Sequence, residues 1–278
     1  IVNWAADLDE SINKVNVLFG GASDTVLDFS KTTATGLGMS QQAALDFSGS
    51  FAGVLKPVAA HSDQLAQMST KMTQLVGDFG SFQNLSPEES FTAISSALAG
   101  ETEAIRKYGV DVSAAAVETK ALKMGLADTS SELTEQDKLL ARYELILEQT
   151  TDAQGDFERT QDSTSNKMKI ARARIKDVGA AFGRLLLPYV DRVLDAFGGL
   201  LDWLDKLDGS TKKWVVGIAA AAAALGPLLI GLGILAPGFG ILLGIIGAML
   251  SPIGLLVAGI VALAVVFKDD IFDAVEKV

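Results

Sequence analysis

The amino-acid sequence predicts an all-α protein with extended helices, a coiled-coil seam and a hydrophobic helical hairpin of the transmembrane type. Apolar residues recur at three- and four-residue spacings, which is the period of an amphipathic helix. Aromatic residues make up only 7% of the 278 residues, a composition that favours helices packed through small side chains. A third observation is a stretch of 54 residues, from Trp214 to Phe267, that contains no Asp, Glu, Lys or Arg.

Two helical regions are predicted before residue 156. Residues 1–40 form an N-terminal helical segment and loop, and the helix breaks near Gly20 and Gly21. Residues 41–155 form a small helical core region, which a proline at position 57 interrupts early. Glycine and proline are the strongest local signals for such breaks.

Capping signals place further helix ends inside this core region. Ser86 can cap a helix, Pro87 suits its first position, and Glu89 completes a capping box. That helix is expected to stop near Gly100, and a second short helix is expected to end at Gly109 in a left-handed conformation.

A similar polar start, Thr129 with Glu132 three residues later, predicts the helix that leads to residue 150. Asp156 is then expected to cap the next helix. Residues 156–213 are predicted to form heptad-bearing helices, kinked or interrupted at Pro188.

The predicted seam in this region consists of apolar residues repeated every seven positions. Its two interleaved series are Met168, Ile175, Phe182 and Tyr189, and Phe157, Thr164, Ala171, Val178 and Leu185. Heptads sustained over about four repeats favour packing against partner chains, with Met168, Ile175, Val178, Phe182 and Leu185 as the oligomer seam. Packing on a neighbouring helix of the same chain is the alternative.

The uncharged run, residues 214–267, is long enough to cross a bilayer twice, since one crossing takes about 20 residues. A membrane hairpin with its turn at Pro237 and Gly238 is therefore expected. Its defining residues are Trp214, Pro227, Pro237, Gly238, Gly240, Gly244, Pro252 and Phe267, and the flanking charges are Lys212, Lys213 and Lys268. The alternative is a hairpin buried in a soluble oligomer until a trigger releases it. Residues 268–278 begin a next helical segment.

Composition argues against several classes of function. The chain has no Cys and a single histidine, His61, so thiolate metal sites and Ser-His-Asp triads have too few members. We therefore expect no enzyme activity, no cofactor and no metal. The net charge of -11 disfavours nucleic-acid binding.

Charged clusters have simpler explanations than chemistry. The acidic pairs Glu88–Glu89 and Glu101–Glu103 suit helix starts better than a glycosidase site. A basic cluster within residues 167–176 is expected to be a solvated face, although contact with DNA phosphates or an acidic wall is the alternative.

Several motifs, in order, resemble the tape measure protein of long-tailed, siphovirus-like bacteriophages. They are residues 76–82 (VGDFGSF), 86–89 (SPEE), 97–110 (ALAGETEAIRKYGV), 155–157 (GDF) with Thr160, 185–188 (LLLP) and 225–229 (LGPLL). The resemblance covers roughly residues 35–267. Such proteins are usually much longer, and the chain begins at Ile1 within a helical pattern, so we expect an internal segment.

The resemblance implies a protein that occupies the tail lumen or tip and sets tail length during assembly. It is then released to help form a path for DNA across the host envelope. The implied partners are other copies of the chain, three being favoured, tail tube and tail tip proteins, DNA passing without sequence-specific binding, and the host inner membrane. The implied locations are the virion tail and, during infection, the host membrane or periplasm.

Two other classes of protein share the hydrophobic hairpin. A pore-forming toxin of the colicin type would be a compact monomer whose amphipathic helices sheath the hairpin. A membrane-anchored structural protein would keep the hairpin permanently in the bilayer.

Overall fold

The computed structural model describes residues 2–209, 211, 213 and 214. Regular structure within these residues is helical and includes no strand, which confirms the all-α prediction for this part of the chain. The chain divides into two units, residues 1–191 and 192–278. The helices of the described region include none that is long and apolar enough to cross a membrane.

The predicted breaks in the N-terminal region are confirmed. The helices here are α1 (Val2–Phe19), α2 (Ser23–Gly36), α3 (Gln41–Leu55) and α4 (Ser62–Phe82), with 3-10 turns at Gly20–Ala22 and Lys56–Val58. The predicted loop before α3 is shorter than expected, because α2 continues to Gly36 and the chain turns at Gly38 with a φ of +64°.

The second half of the first unit contains shorter helices and the start of a long one. They are α5 (Pro87–Ala99), α6 (Glu103–Arg106), α7 (Ala114–Lys123), α8 (Glu135–Gln149), α9 (Asp156–Arg159) and α10 (Thr164–Lys206), with a 3-10 turn at Ser130–Glu132. The capping box of α5 is present, with Ser86 and Glu89 in the expected roles. Gly100 ends α5 in the left-handed conformation, and Gly109 has a φ of +85°.

Two predicted helix starts are corrected, and one helix was not predicted. Helix α8 begins after Thr134, whose side chain forms a capping box with Asp137, so the similar signal at Thr129 opens only a 3-10 turn. Asp156 does not cap the next helix, because Gly155 occupies the N-cap position in a left-handed conformation. Helix α7 has no counterpart in the prediction.

Helix α10 is continuous from Thr164 to Lys206 and contains Pro188 in its interior. A proline removes one backbone hydrogen bond, here the one to the carbonyl of Arg184, and the turns on either side continue. The predicted interruption at Pro188 is therefore wrong, and a bend there stays a prediction.

The core of the first unit is formed around α3 and α4. Helix α3 packs against α1, α2 and α4, and α4 also contacts α5 and α9. Phenylalanine rings from separate elements fill the centre: Phe19, Phe51, Phe79 and Phe157 are fully buried. Burying an aromatic or large aliphatic side chain contributes roughly 1.5 to 3 kcal/mol, so Phe79 and Phe157 stabilise the contact between α4 and α9.

The interior of α4 contains a glycine at a close approach between elements. A Cβ atom added to Gly77 would lie 2.8 Å from the Cβ atom of Leu37 in the α2–α3 loop. Gly53, in the interior of α3, has open space at the same position. The two glycines therefore differ in packing while sharing a helical backbone.

We expect the substitutions Gly77→Ala and Gly53→Ala to change stability in opposite directions. Alanine gains about 0.5 to 1 kcal/mol over glycine in a helix, so Gly53→Ala raises the free energy of unfolding. At Gly77 the clash with Leu37 outweighs this gain, since overpacking costs about 1 to 3 kcal/mol. Urea unfolding followed by circular dichroism measures both changes. An equal gain at both positions would contradict the packing at Gly77.

Candidate interaction surface on helix α10

A buried polar cluster fastens the first turn of α10 to the rest of the unit. Asn166, only 2% exposed, donates from Nδ2 to Ser81 Oγ at 2.8 Å and to Thr160 Oγ1 at 2.9 Å. Ser81 Oγ in turn donates to Asp156 Oδ2 at 2.7 Å. The cluster therefore joins the end of α4, the helix α9 with the turn that follows it, and α10.

Two charged groups beside the cluster are held in unusual surroundings. Asp78 is 3% exposed and accepts a hydrogen bond from the backbone N–H of Phe157 at 3.2 Å. Burial raises the pKa of Asp78 above its ordinary value, although the N–H groups of Gly155 and Phe157 act in the opposite direction. Lys169 Nζ donates to the carbonyl of Gly80 at 3.0 Å, and burial lowers its pKa.

The same face of α10 makes further contacts along the unit. Asp177 Oδ1 accepts a hydrogen bond from the backbone N–H of Gln41 at 2.8 Å. Two turns later, Arg184 Nε donates to Asp9 Oδ1 at 2.8 Å. On the same face, Ala173 and Ala180 are buried. Alternate turns of α10 therefore attach one face of the helix to α1, to the start of α3 and to the end of α4.

The opposite face of α10 is apolar and exposed. We call it the exposed stripe. Its members and their exposed fractions are Met168 52%, Ile175 63%, Val178 56%, Phe182 61% and Leu185 69%. Monomeric soluble proteins seldom expose a contiguous row of large apolar side chains, and such a row marks a site of interaction.

The exposed stripe contains the five residues predicted to form the oligomer seam. The alternative prediction is that this seam packs on another helix of the same chain. In the part of the chain that the structure describes, such packing is not found, because all five side chains are exposed. Phe157 does not extend the seam, since it lies in α9 and is fully buried in the core. The role of the seam in oligomer formation stays a prediction.

Basic side chains border the first half of the stripe on both sides. Successive residues of an α-helix are rotated by about 100°. Lys167 and Arg174 therefore lie along one edge of the Met168–Ile175 row, and Arg172 and Lys176 lie along the other. All four side chains are exposed. Lys167 Nζ lies 3.1 Å from the carboxylate of Asp162.

A groove of about 490 Å³ opens beside this first half of the stripe. Its walls include Met168 and Arg172 from α10, Met39 from the α2–α3 loop, and Leu85 and Pro87 from the start of α5. The groove therefore extends the apolar surface of Met168 towards the body of the unit.

Most residues of the predicted hairpin lie outside the described residues, and so do Lys212 and Lys268 among the flanking charges. The two that are described are Trp214, which is 75% exposed, and Lys213, which is also exposed.

The remaining candidates from the sequence have local structural roles. His61 caps α4, accepting a hydrogen bond at Nδ1 from the backbone N–H of Gln64. Glu89 closes the capping box of α5, and Glu103 lies in the first turn of α6. The described residues contain no group of His, Asp and Glu that could hold a metal ion.

Sequence reasoning did not find the buried polar cluster. Ser81, Asp156, Thr160 and Asn166 are common surface residue types, and their spacing follows no helical period. The only signal was the Gly155–Asp156 pair, since glycine in a left-handed conformation places the Asp156 carboxylate towards α4.

Comparison with protein-family models, with curated proteins and with solved structures found no match to this chain.

We expect stability to depend on pH through Asp78. Because the pKa of Asp78 is raised above 3.8 in the folded protein, the protonated carboxyl favours folding. This contribution is complete below about pH 3.8 and is lost as the pH rises through the raised value. Asp78→Asn removes the dependence, so its free energy of unfolding relative to the wild type should increase from pH 3.8 towards neutrality.

Urea unfolding at a series of pH values measures this difference. The matched control is Asp128→Asn, because Asp128 is an exposed aspartate on a loop. The increase for Asp78→Asn should exceed any change seen for this control. A difference for Asp78→Asn that decreases with rising pH would show that the pKa of Asp78 is lowered.

Proposed function

We propose that this chain is an internal segment of a bacteriophage tail tape measure protein. The structural observation that best supports the proposal is the two-sided character of α10. One face is fastened to a folded helical unit, and the other carries five exposed apolar residues at heptad spacing. A long helix with a free seam suits a protein that assembles lengthwise with other copies.

The proposed length-setting role needs no reactive group. A helix advances about 1.5 Å per residue, so the number of residues converts directly into distance. The sequence has a net charge of -11. This charge suits a protein that DNA moves past without binding to it. The motifs between residues 76 and 229 also support the proposal, because they resemble those of this family in their order along the chain.

The uncharged run at residues 214–267 is proposed to act at the membrane. A helical hairpin satisfies its own backbone hydrogen bonds and can therefore enter hydrocarbon. We propose that this run is kept from water in the tail, by other copies or by tail tube and tail tip proteins. On ejection it enters the host inner membrane and helps to form the path for DNA.

Deletion and replacement of this run separate its two proposed effects. Deleting residues 215–267 should shorten the tails by about 80 Å if these residues form one extended helix in the tail and fold into the hairpin only in the membrane. The deletion should also impair DNA delivery. Replacing them with an equally long, soluble helical sequence should restore tail length while delivery stays impaired. Electron microscopy of negatively stained virions measures length, and potassium release from infected cells measures membrane passage.

A tail length that is unchanged by the deletion would contradict the length-setting role. Normal DNA delivery by the replacement variant would contradict the membrane role. A pore-forming toxin would instead release dye from liposomes as an isolated monomer, without any tail.

Self-association is proposed to use the second half of the exposed stripe, around Val178, Phe182 and Leu185. The positions beside these residues include three that carry no charge: Ala181 is small and exposed, whereas Gly179 and Gly183 are buried. Small flanking residues let two helices approach closely without opposing charges. Three copies remain the favoured number from the family resemblance.

We expect Phe182→Glu to shift the protein towards the monomer, because three or more glutamates would meet at one level of the bundle. Phe82→Glu is the matched control, since Phe82 is a 50% exposed phenylalanine on α4, away from the stripe. Sedimentation equilibrium of the full chain in density-matched non-ionic detergent measures the mass of the assembly. Equal effects of the two substitutions would exclude the stripe as the contact between copies.

A further inference from the structure

We propose that the first half of the exposed stripe, around Met168 and Ile175, binds an acidic amphipathic helix of another protein. The apolar side chains of that helix would cover Met168 and Ile175, and its acidic residues would lie beside the bordering bases. The inference rests on α10 alone and does not depend on the tape measure proposal.

The surface combines two features that point to one kind of partner. Met168 and Ile175 are 52% and 63% exposed, so covering them with an apolar partner removes apolar surface from water and is favourable. Lys167 and Arg174 border them on one edge, and Arg172 and Lys176 on the other. A partner helix with carboxylates on both sides of an apolar row is complementary to both features.

A second copy of α10 does not suit this half of the stripe. In a parallel pair the residues flanking one helix lie next to those flanking the other, which places Lys167 near Arg172 of the second copy. In an antiparallel pair each basic edge again meets a basic edge. Like charges in such positions disfavour association. In the second half of the stripe, Phe182 has no basic residue beside it, since its neighbours are the exposed Ala181 and the buried Gly179 and Gly183.

The acidic helices α1 and α8 of the first unit cannot cover Met168 and Ile175, because their own apolar faces are already buried. Helix α1 buries Leu8, Val15 and Phe19 in the core. Helix α8 buries Leu139 and Ile146 in the same core. An apolar face that is already covered cannot also cover α10, so these two helices are excluded among the described residues.

Nucleic acid is the less suitable partner for the same bases. Phosphate contacts would leave Met168 and Ile175 exposed to water.

The test uses two synthetic helical peptides with the full chain in non-ionic detergent. Both peptides have Leu or Ile at the a and d positions of each heptad, and they carry Glu or Lys at the e and g positions. Fluorescence anisotropy measures binding of each labelled peptide. We expect the Glu peptide to bind at least about tenfold more tightly than the Lys peptide.

Substitutions then locate the site. The double variant Lys167→Glu with Arg174→Glu should remove or reverse the preference, and Ile175→Ser should weaken binding of the Glu peptide. The control with the same change in charge is Lys56→Glu with Lys71→Glu, because both lysines are exposed and lie away from α10. This control should leave the preference intact. Thermal unfolding shows whether each variant is folded.

Three results would overturn the proposal. Equal binding of the two peptides would show that the basic borders do not select the partner. An unchanged preference in the Lys167→Glu, Arg174→Glu variant would place the binding elsewhere. Tighter binding of a short DNA duplex than of the Glu peptide, lost in the same variant, would identify the surface as a nucleic-acid site.

Discussion

The orientation of α10 depends on the buried hydrogen bonds around Asn166. The Asn166 amide has donors that only Ser81 and Thr160 satisfy, and a buried polar group without its partner costs about 1 to 3 kcal/mol. A shift of one residue along α10 would rotate every side chain by about 100° and break these bonds. The polar cluster therefore decides which side of α10 is attached and which side is left exposed.

Close approach of helices through small residues makes this attachment possible. A Cβ atom added to Gly38 would lie less than 3 Å from the Cβ atom of Lys169 and from the ring of Phe157. A Cβ atom added to Gly179 would likewise lie less than 3 Å from the indole of Trp4. The low aromatic content and the many small side chains are consistent with this packing: large rings occupy a few central positions, and glycine or alanine lines the contacts between elements.

The sequence predicted the helical class and most helix breaks, because these depend on local propensity and on a regular period. It predicted the α5 start correctly since Ser86, Pro87 and Glu89 act within one turn. It misplaced the start of α8, where Thr129 and Thr134 carry equivalent local signals and only packing distinguishes them. Helix α10 continues through Pro188 because the one hydrogen bond that the proline removes is a small part of all the backbone hydrogen bonds of the helix. The polar cluster joins residues 75 to 85 positions apart, and nothing local specifies such pairs.

Charge is distributed unevenly in the first unit. Residues 1–163 carry a net charge of -13, whereas residues 164–191 hold six basic and two acidic side chains. The unit therefore has a permanent electric dipole, with its positive end along α10. At physiological ionic strength the field of such a dipole extends about 8 Å beyond the surface. Within that distance a negatively charged wall or neighbour would turn the unit so that α10 faces it, before any apolar contact forms.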